Sequence, residues 1–295
     1  SLKIEVDLGG GTLSSLSGYV DSKVTNVLDA DYSYAPNGLG INYHVTTHDE
    51  YFTQEVNYAS ALSGPLNFTL GAFYTNGEGS WDPLSVQTPA YSVTIYGTQK
   101  IESVAGFGEV YFDLTDRVSV IGGLRYSWEH RSLESGQLFG LAAPKPALTP
   151  RGEQSWDSFT PRFSIRYAVA PRSNIYFTYS KGFKSGVYNT TAQTADLANP
   201  EHVSAYELGF KGRLTDAVSL DAAAFYYNYT DLQANVFTNV GGVPLAFLRN
   251  AGKARIFGLE ADATVRFSDM FDVRAAGSWL DSKYLEFSSA SVNRP

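Results

Sequence analysis

Leu114-Thr-Asp-Arg-Val-Ser119 and Leu214-Thr-Asp-Ala-Val-Ser219 spell one short turn twice, and each joins two runs that alternate apolar with polar or small residues. Before the second turn, Tyr206, Leu208, Phe210, Gly212 and Leu214 share one parity while Glu207, Gly209, Lys211 and Arg213 share the other. After it, Val218, Leu220, Ala222, Ala224 and Tyr226 continue the apolar set. Side chains on a strand point alternately to opposite faces, so each hairpin has one oily face and one polar face. The first copy repeats this, with Val118, Val120, Gly122, Leu124, Tyr126 and Trp128 set against Ser119, Gly123, Arg125, Ser127, Glu129 and Arg131, and Ile121 as the misfit.

Working outward, the pattern predicts twelve strands in six hairpins, with short turns centred near Gly10, Ser63, Asp116, Arg172, Asp216 and Asp269. Successive spacings of 53, 53, 56, 44 and 53 residues put short turns on one side and long connections on the other. That is up-and-down topology. The long connections are read as loops over 27–48, 76–98, 132–155, 186–202 and 231–249; Pro144, Pro146 and Pro150 argue against a central strand in the third. Several strands reach ten residues or more, the length of a tilted bilayer span. Trp128, Trp156 and Trp279 lie 12, 16 and 10 residues from their nearest short turns, where an interfacial aromatic girdle would hold them.

Composition agrees. Aromatic residues make up 14% of the 295, with 20 Tyr and 18 Phe, types that suit strands and oil–water boundaries. The net charge of −8 argues against a nucleic-acid groove, and the lack of cysteine excludes disulfides and thiolate metal sites. His44-Val-Thr-Thr-His48 has a spacing that suits a metal only on a helix, and it falls in a loop entering a strand. Gly9-Gly10-Gly11 lacks the Lys of a phosphate loop, and no nucleophile pairs with His44, His48, His130 or His202. No enzyme activity, metal or cofactor is expected.

Four motifs resemble the barrel strands of TonB-dependent outer-membrane receptors: Gly122-Gly-Leu-Arg-Tyr126; Tyr176-Phe-Thr-Tyr-Ser-Lys-Gly-Phe-Lys-Ser-Gly186; Pro200-Glu201 followed by Tyr206-Glu-Leu-Gly-Phe-Lys-Gly212; and Asn250-Ala-Gly-Lys-Ala-Arg-Ile-Phe-Gly-Leu-Glu260. The resemblance implies an all-β, antiparallel transmembrane barrel in the bacterial outer membrane, one of about 22 strands with a plug inside. Residues 1–295 would then be a partial barrel domain of about twelve strands, either closed on themselves or left as an open curved sheet. It also implies uptake of a scarce nutrient such as a ferric siderophore, energised by the TonB complex through a plug outside this chain. A passive porin and a soluble β-sandwich or adhesin remain the alternatives.

Two sets of residues are the candidates for function. The polar parity carries Arg125, Glu129, Arg162, Arg166, Glu207, Lys211, Arg213, Glu260, Asp262 and Arg266, which would line a wet lumen. Tyr32, Tyr34, Tyr43, Trp81, Tyr91 and Tyr96 fall in long connections, where a small ligand would make first contact. Partners expected on this reading are outer-membrane lipid, that ligand and the TonB complex, with no nucleic acid.

Overall fold

The computed structural model describes residues 1–29, 42–88, 92–139, 145–190, 194–240 and 243–287. Its strands are β1 (Leu2–Asp7), β2 (Gly11–Asp29), β3 (Asn42–Ser60), β4 (Leu66–Gln87), β5 (Ser92–Thr115), β6 (Val118–Phe139) and β7 (Thr149–Ala170). There follow β8 (Ser173–Lys184), two-residue β9 (Val187–Tyr188) and β10 (Leu197–Ala198), then β11 (Glu201–Arg213), β12 (Val218–Val240), β13 (Val243–Ser268) and β14 (Phe271–Phe287). Twelve form one sheet in the order β1-β2-β3-β4-β5-β6-β7-β8-β11-β12-β13-β14, every neighbour antiparallel, while β9 and β10 pair only with each other. Among the described residues the sheet does not close, so β1 and β14 are its two edges.

The two matching turns fold alike for a local reason. Thr115 Oγ1 accepts from the backbone N–H groups of Arg117 and Val118 at 3.2 and 3.0 Å, and Thr215 Oγ1 accepts from those of Ala217 and Val218 at 3.2 and 3.1 Å. The threonine hydroxyl thus satisfies donors that the ladder has released at the bend.

The parities separate as the alternation requires. Leu124, Phe163 and Leu259 are 50%, 45% and 44% exposed on the outward face, with no protein packed over them. Opposite, Arg125 lies over the rings of Phe73 and Phe107, and Arg162 Nη1 reaches Glu109 Oε2 at 3.1 Å. An oily outside around a polar inside is the inverse of a soluble sandwich, whose apolar faces meet each other.

The long connections are mostly strand, which corrects the loop boundaries. Strand β4 continues to Gln87, β5 starts at Ser92, β6 runs to Phe139, β7 starts at Thr149, and β12 and β13 approach each other at Val240 and Val243. A strand of 24 residues such as β5 is about 80 Å long, several times the roughly 25 Å apolar band it crosses. Beyond the bilayer both faces are wet, so the period-two signal fades while backbone pairing continues. Pro150 is tolerated because that half of β7 pairs with β6 alone, beside a bulge; the β8 ladder begins only at Arg162↔Ser180. Trp156 is a further correction. It stands opposite Glu129 on the inner face and fills the space beside Gly186, leaving Trp128 and Trp279 to the outer girdle.

Arg at Leu124 or Leu220 is expected to cost about 2–4 kcal/mol in refolding titrations from urea into micelles. Thr264→Arg, on the inner face, should cost under half of that. Ser164 is not an equivalent control: it is 7% exposed and its Oγ lies 2.9 Å from Thr178 Oγ1, so Arg there meets a packed wall.

Candidate functional site: an inner polar wall under a packed mouth

The inner face is built from side chains that the register sets side by side. Phe107 stands opposite Arg125, and Glu109 lies between Thr69 and Gly123 with Arg162 one strand further on. Glu129 and Arg131 pair at 2.6 Å with side chains only 12% and 18% exposed. Arg166 Nη2 donates to Ser119 Oγ at 3.0 Å. The Tyr176 hydroxyl donates to Glu207 Oε1 at 2.6 Å while Lys211 Nζ sits 5.5 Å from the centre of the Tyr176 ring. Glu207, Lys211, Asp221, Glu260 and Asp262 line one hollow of about 540 Å³, and Arg162, Arg166, Tyr176 and Glu207 contribute to a neighbouring one of about 670 Å³. Asp262 is bridged by Arg274, a residue absent from the candidate set because no faces were assigned along 271–287. Arg213 and Arg266 lie near the short turns, Arg266 in register with Asp272.

Glycine makes room for rings on this wall. A side chain at Gly209 would overlap the Tyr176 ring, and one at Gly258 would overlap Phe225. Without a Cβ there, each ring lies flat against the next strand and the interior keeps its width.

Above the wall the extended strands fold over the concave side. Phe247 of β13 packs against Leu84 and Val86 of β4 and Val93 and Ile95 of β5, seven and six strand steps away along the sheet. Residues 185–190 and 194–200 are held beneath. Asn189 is clamped to Leu248 by two hydrogen bonds, Nδ2 to the carbonyl at 2.9 Å and Oδ1 from the N–H at 2.7 Å. The Tyr188 N–H donates to Gln99 Oε1 at 2.9 Å, Trp81 Nε1 donates to Thr190 Oγ1, and Arg249 pairs with Asp196 at 3.0 Å. Burial, and then the Glu153 carboxylate, push the Tyr188 hydroxyl up from its ordinary value, so it stays neutral.

Of the aromatic candidates, Tyr43 and Trp81 lie on strands and pack against this apolar cluster. Tyr96, on β5, has Lys145 Nζ 5.0 Å above its ring. Tyr32, Tyr34 and Tyr91 lie outside the described residues. The mouth cluster was legible in principle, since Leu84-Ser-Val86 and Val93-Thr-Ile95 keep period two. His44 and His48 lie on β3, not in a loop, and at about 3.4 Å per residue their separation is about 14 Å; no metal-binding group of three or more residues occurs among the described residues.

An antiparallel wall with hydrocarbon-facing residues outside, ion pairs inside and long strands on one side defines a membrane β-barrel protein. Residues 2–294 match the family model described as TonB dependent receptor-like, beta-barrel, and the chain belongs to that family. This places it in the bacterial outer membrane. It is 30% identical over 199 residues to the pesticin receptor of Yersinia enterocolitica, covering 66% of this chain and 28% of that protein. It is 24% identical over 214 residues to the rhizobactin receptor of Rhizobium meliloti, covering 63% and 28%. The ferric yersiniabactin uptake receptor of Yersinia pestis superposes with a TM-score of 0.79 at 20% identity, over 95% of this chain and 41% of the other. The chain thus spans under a third of the length of these curated relatives.

Asn189→Ala removes both partners of Leu248 and is expected to cost the mouth about 1–3 kcal/mol of local stability. Hydrogen exchange at the Leu248 amide should speed up accordingly, while exchange at Tyr126, deep in the membrane ladder, stays unchanged.

Proposed function

We propose that this chain is barrel wall and mouth of an active-transport receptor that takes up a scarce nutrient, an iron–siderophore chelate being the substrate class. The observation that carries this reading is the packed mouth. Phe247, Tyr188 and Asn189 join strands from distant parts of the sheet, so a chelate meets a packed surface before it reaches the inner wall. A passive pore would gain nothing from a cluster that obstructs it. The names of the relatives, receptors for pesticin and rhizobactin and an uptake receptor for ferric yersiniabactin, favour the same substrate class.

On this reading the TonB complex supplies the energy through a plug lying outside these residues, and the inner charged wall, from Arg125 and Glu129 to Glu260, Asp262 and Arg266, faces that plug across water. The set Tyr32, Tyr34, Tyr43, Trp81, Tyr91 and Tyr96 makes the first ligand contacts. Tyr96 with Lys145 leads them, because an aromatic face beside an ammonium suits an anionic, ring-bearing chelate that displaces Asp82, the carboxylate Lys145 contacts at 2.5 Å.

Cells lacking the gene are expected to lose uptake of radioactive iron supplied as a siderophore chelate. Complemented cells should regain it only while the inner membrane is energised. Tyr96→Ala with Lys145→Ala should weaken chelate binding by about five- to thirtyfold. Uptake that persists after the membrane potential is collapsed, together with steady single-channel conductance, would favour the porin instead.

A further inference from the structure

The outward face carries one feature that nutrient uptake does not use. The register aligns Lys181 of β8 with Ser204 of β11, Ser204 with Asn228 of β12, Asn228 with Arg255 of β13, and Arg255 with Lys283 of β14. These five residues share the parity of the exposed Phe177, Leu208, Leu259 and Trp279, so they form one polar row on the membrane side of the wall. Neighbouring strands lie about 4.8 Å apart, which makes the row about 19 Å wide.

Directly toward the bilayer centre lies a row of rings. Tyr179 contacts Tyr206 at 5.1 Å, Tyr206 contacts Tyr226 at 6.5 Å, and Phe257 meets Trp279 at 5.9 Å. Lys181 is eight residues beyond Ser173 on β8, and Lys283 is twelve beyond Phe271 on β14. A tilted strand crosses the bilayer in about 9–11 residues, so the cations stand at the headgroup level of the long-loop side, the outer leaflet.

Lys181 and Lys283 are exposed and make no ion pair among the described residues. Arg255 reaches only Asp281, at 3.8 Å, and its Nε is buried without an acceptor. The other charges nearby on this rim include Lys253, which pairs with Glu286 at 2.8 Å and also feels the Asp231 carboxylate, and His202, stacked on Phe183. The corresponding row on the other half of the sheet is acidic, Asp21 aligned with Glu50, Glu50 with Glu78 and Glu78 with Lys100. Three cations against one carboxylate on a single arc is therefore a local property and not a feature of the whole rim.

We propose that Lys181, Arg255 and Lys283, with Asn228 and Ser204 between them, form a docking site for a lipid of the outer leaflet whose headgroup carries more than one phosphate. The width suits two phosphates held apart on a sugar backbone. The cations take the phosphates, Asn228 and Ser204 hydrogen-bond the sugar, and the acyl chains lie along the Tyr179, Tyr206, Tyr226 and Phe257 rings below.

The test is binding of bisphosphorylated lipid A, monophosphorylated lipid A and phosphatidylglycerol to the detergent-solubilised protein, followed by thermophoresis. The bisphosphorylated lipid should bind most tightly, with added salt weakening it. Lys181→Gln combined with Arg255→Gln and Lys283→Gln should lose about tenfold or more of that affinity. The charge-keeping set Lys181→Arg, Arg255→Lys and Lys283→Arg should retain it, and Lys23→Gln with Lys100→Gln, on the acidic rim, should leave it unchanged. Lys181→Gln and Lys283→Gln are exposed single changes that each carry the test if the triple variant fails to refold, with about a threefold loss apiece. Equal affinity of the glutamine variants and the unaltered protein would overturn the proposal. So would equal affinity for lipid A and phosphatidylglycerol, which would mean general attraction to anionic bilayers.

Discussion

Inside a bilayer no water is available to a backbone N–H or C=O, and each one left unpaired there costs several kcal/mol. Every other feature of this chain follows from that constraint. The ladder must be continuous through the membrane, and it is: β1 to β8 and β11 to β14 pair neighbour to neighbour with register shifts placed mostly toward the long-loop ends, as at Val45/Thr47, Trp81/Leu84 and Leu133/Glu134. With the backbone fully engaged, only side chains distinguish one face from the other. They do so by parity, oil outward and charge inward.

The inward charge is satisfied laterally. Arg162 with Glu109 and Arg274 with Asp262 are cross-strand pairs open to water, while Arg131 with Glu129 is a largely buried same-strand pair. Such pairs contribute little to stability where solvent screens them. Their consequence is shape and potential: a hydrated interior with mixed charge that neither collapses nor excludes a polar solute. Rings such as Tyr176 and Phe225 keep to the wall because glycine stands beside them, and the hollows of about 540 and 670 Å³ remain open.

Legibility in the sequence tracks the number of oily faces. Where one face meets hydrocarbon, as from Val118 to Trp128 or from Phe257 to Phe267, alternation gave strand, face and turn together. Beyond the bilayer both faces are wet, and residues such as Glu78, Ser80, Glu134 and Ser135 carry no period although the same strands continue through them. Trp156 misled for a related reason, since distance from a turn sets height but not face, and its parity with Arg162 already pointed inward. The mouth was the least legible part. Contacts such as Phe247 with Ile95 or Asn189 with Leu248 join residues that no local pattern links, and they arise only once the sheet has curled.

The account is tested most directly by a spin label moved residue by residue along β6, from Val118 to Phe139, in lipid bilayers, with accessibility to oxygen compared with that to a water-soluble nickel chelate. Labels at Val120, Leu124, Tyr126 and Trp128 should favour oxygen, those at Arg125, Ser127 and Glu129 should favour nickel, and the alternation should die away past Arg131, where the strand leaves the membrane. Oxygen preference that fails to alternate before Trp128, or that falls on Arg125 and Ser127, would contradict it.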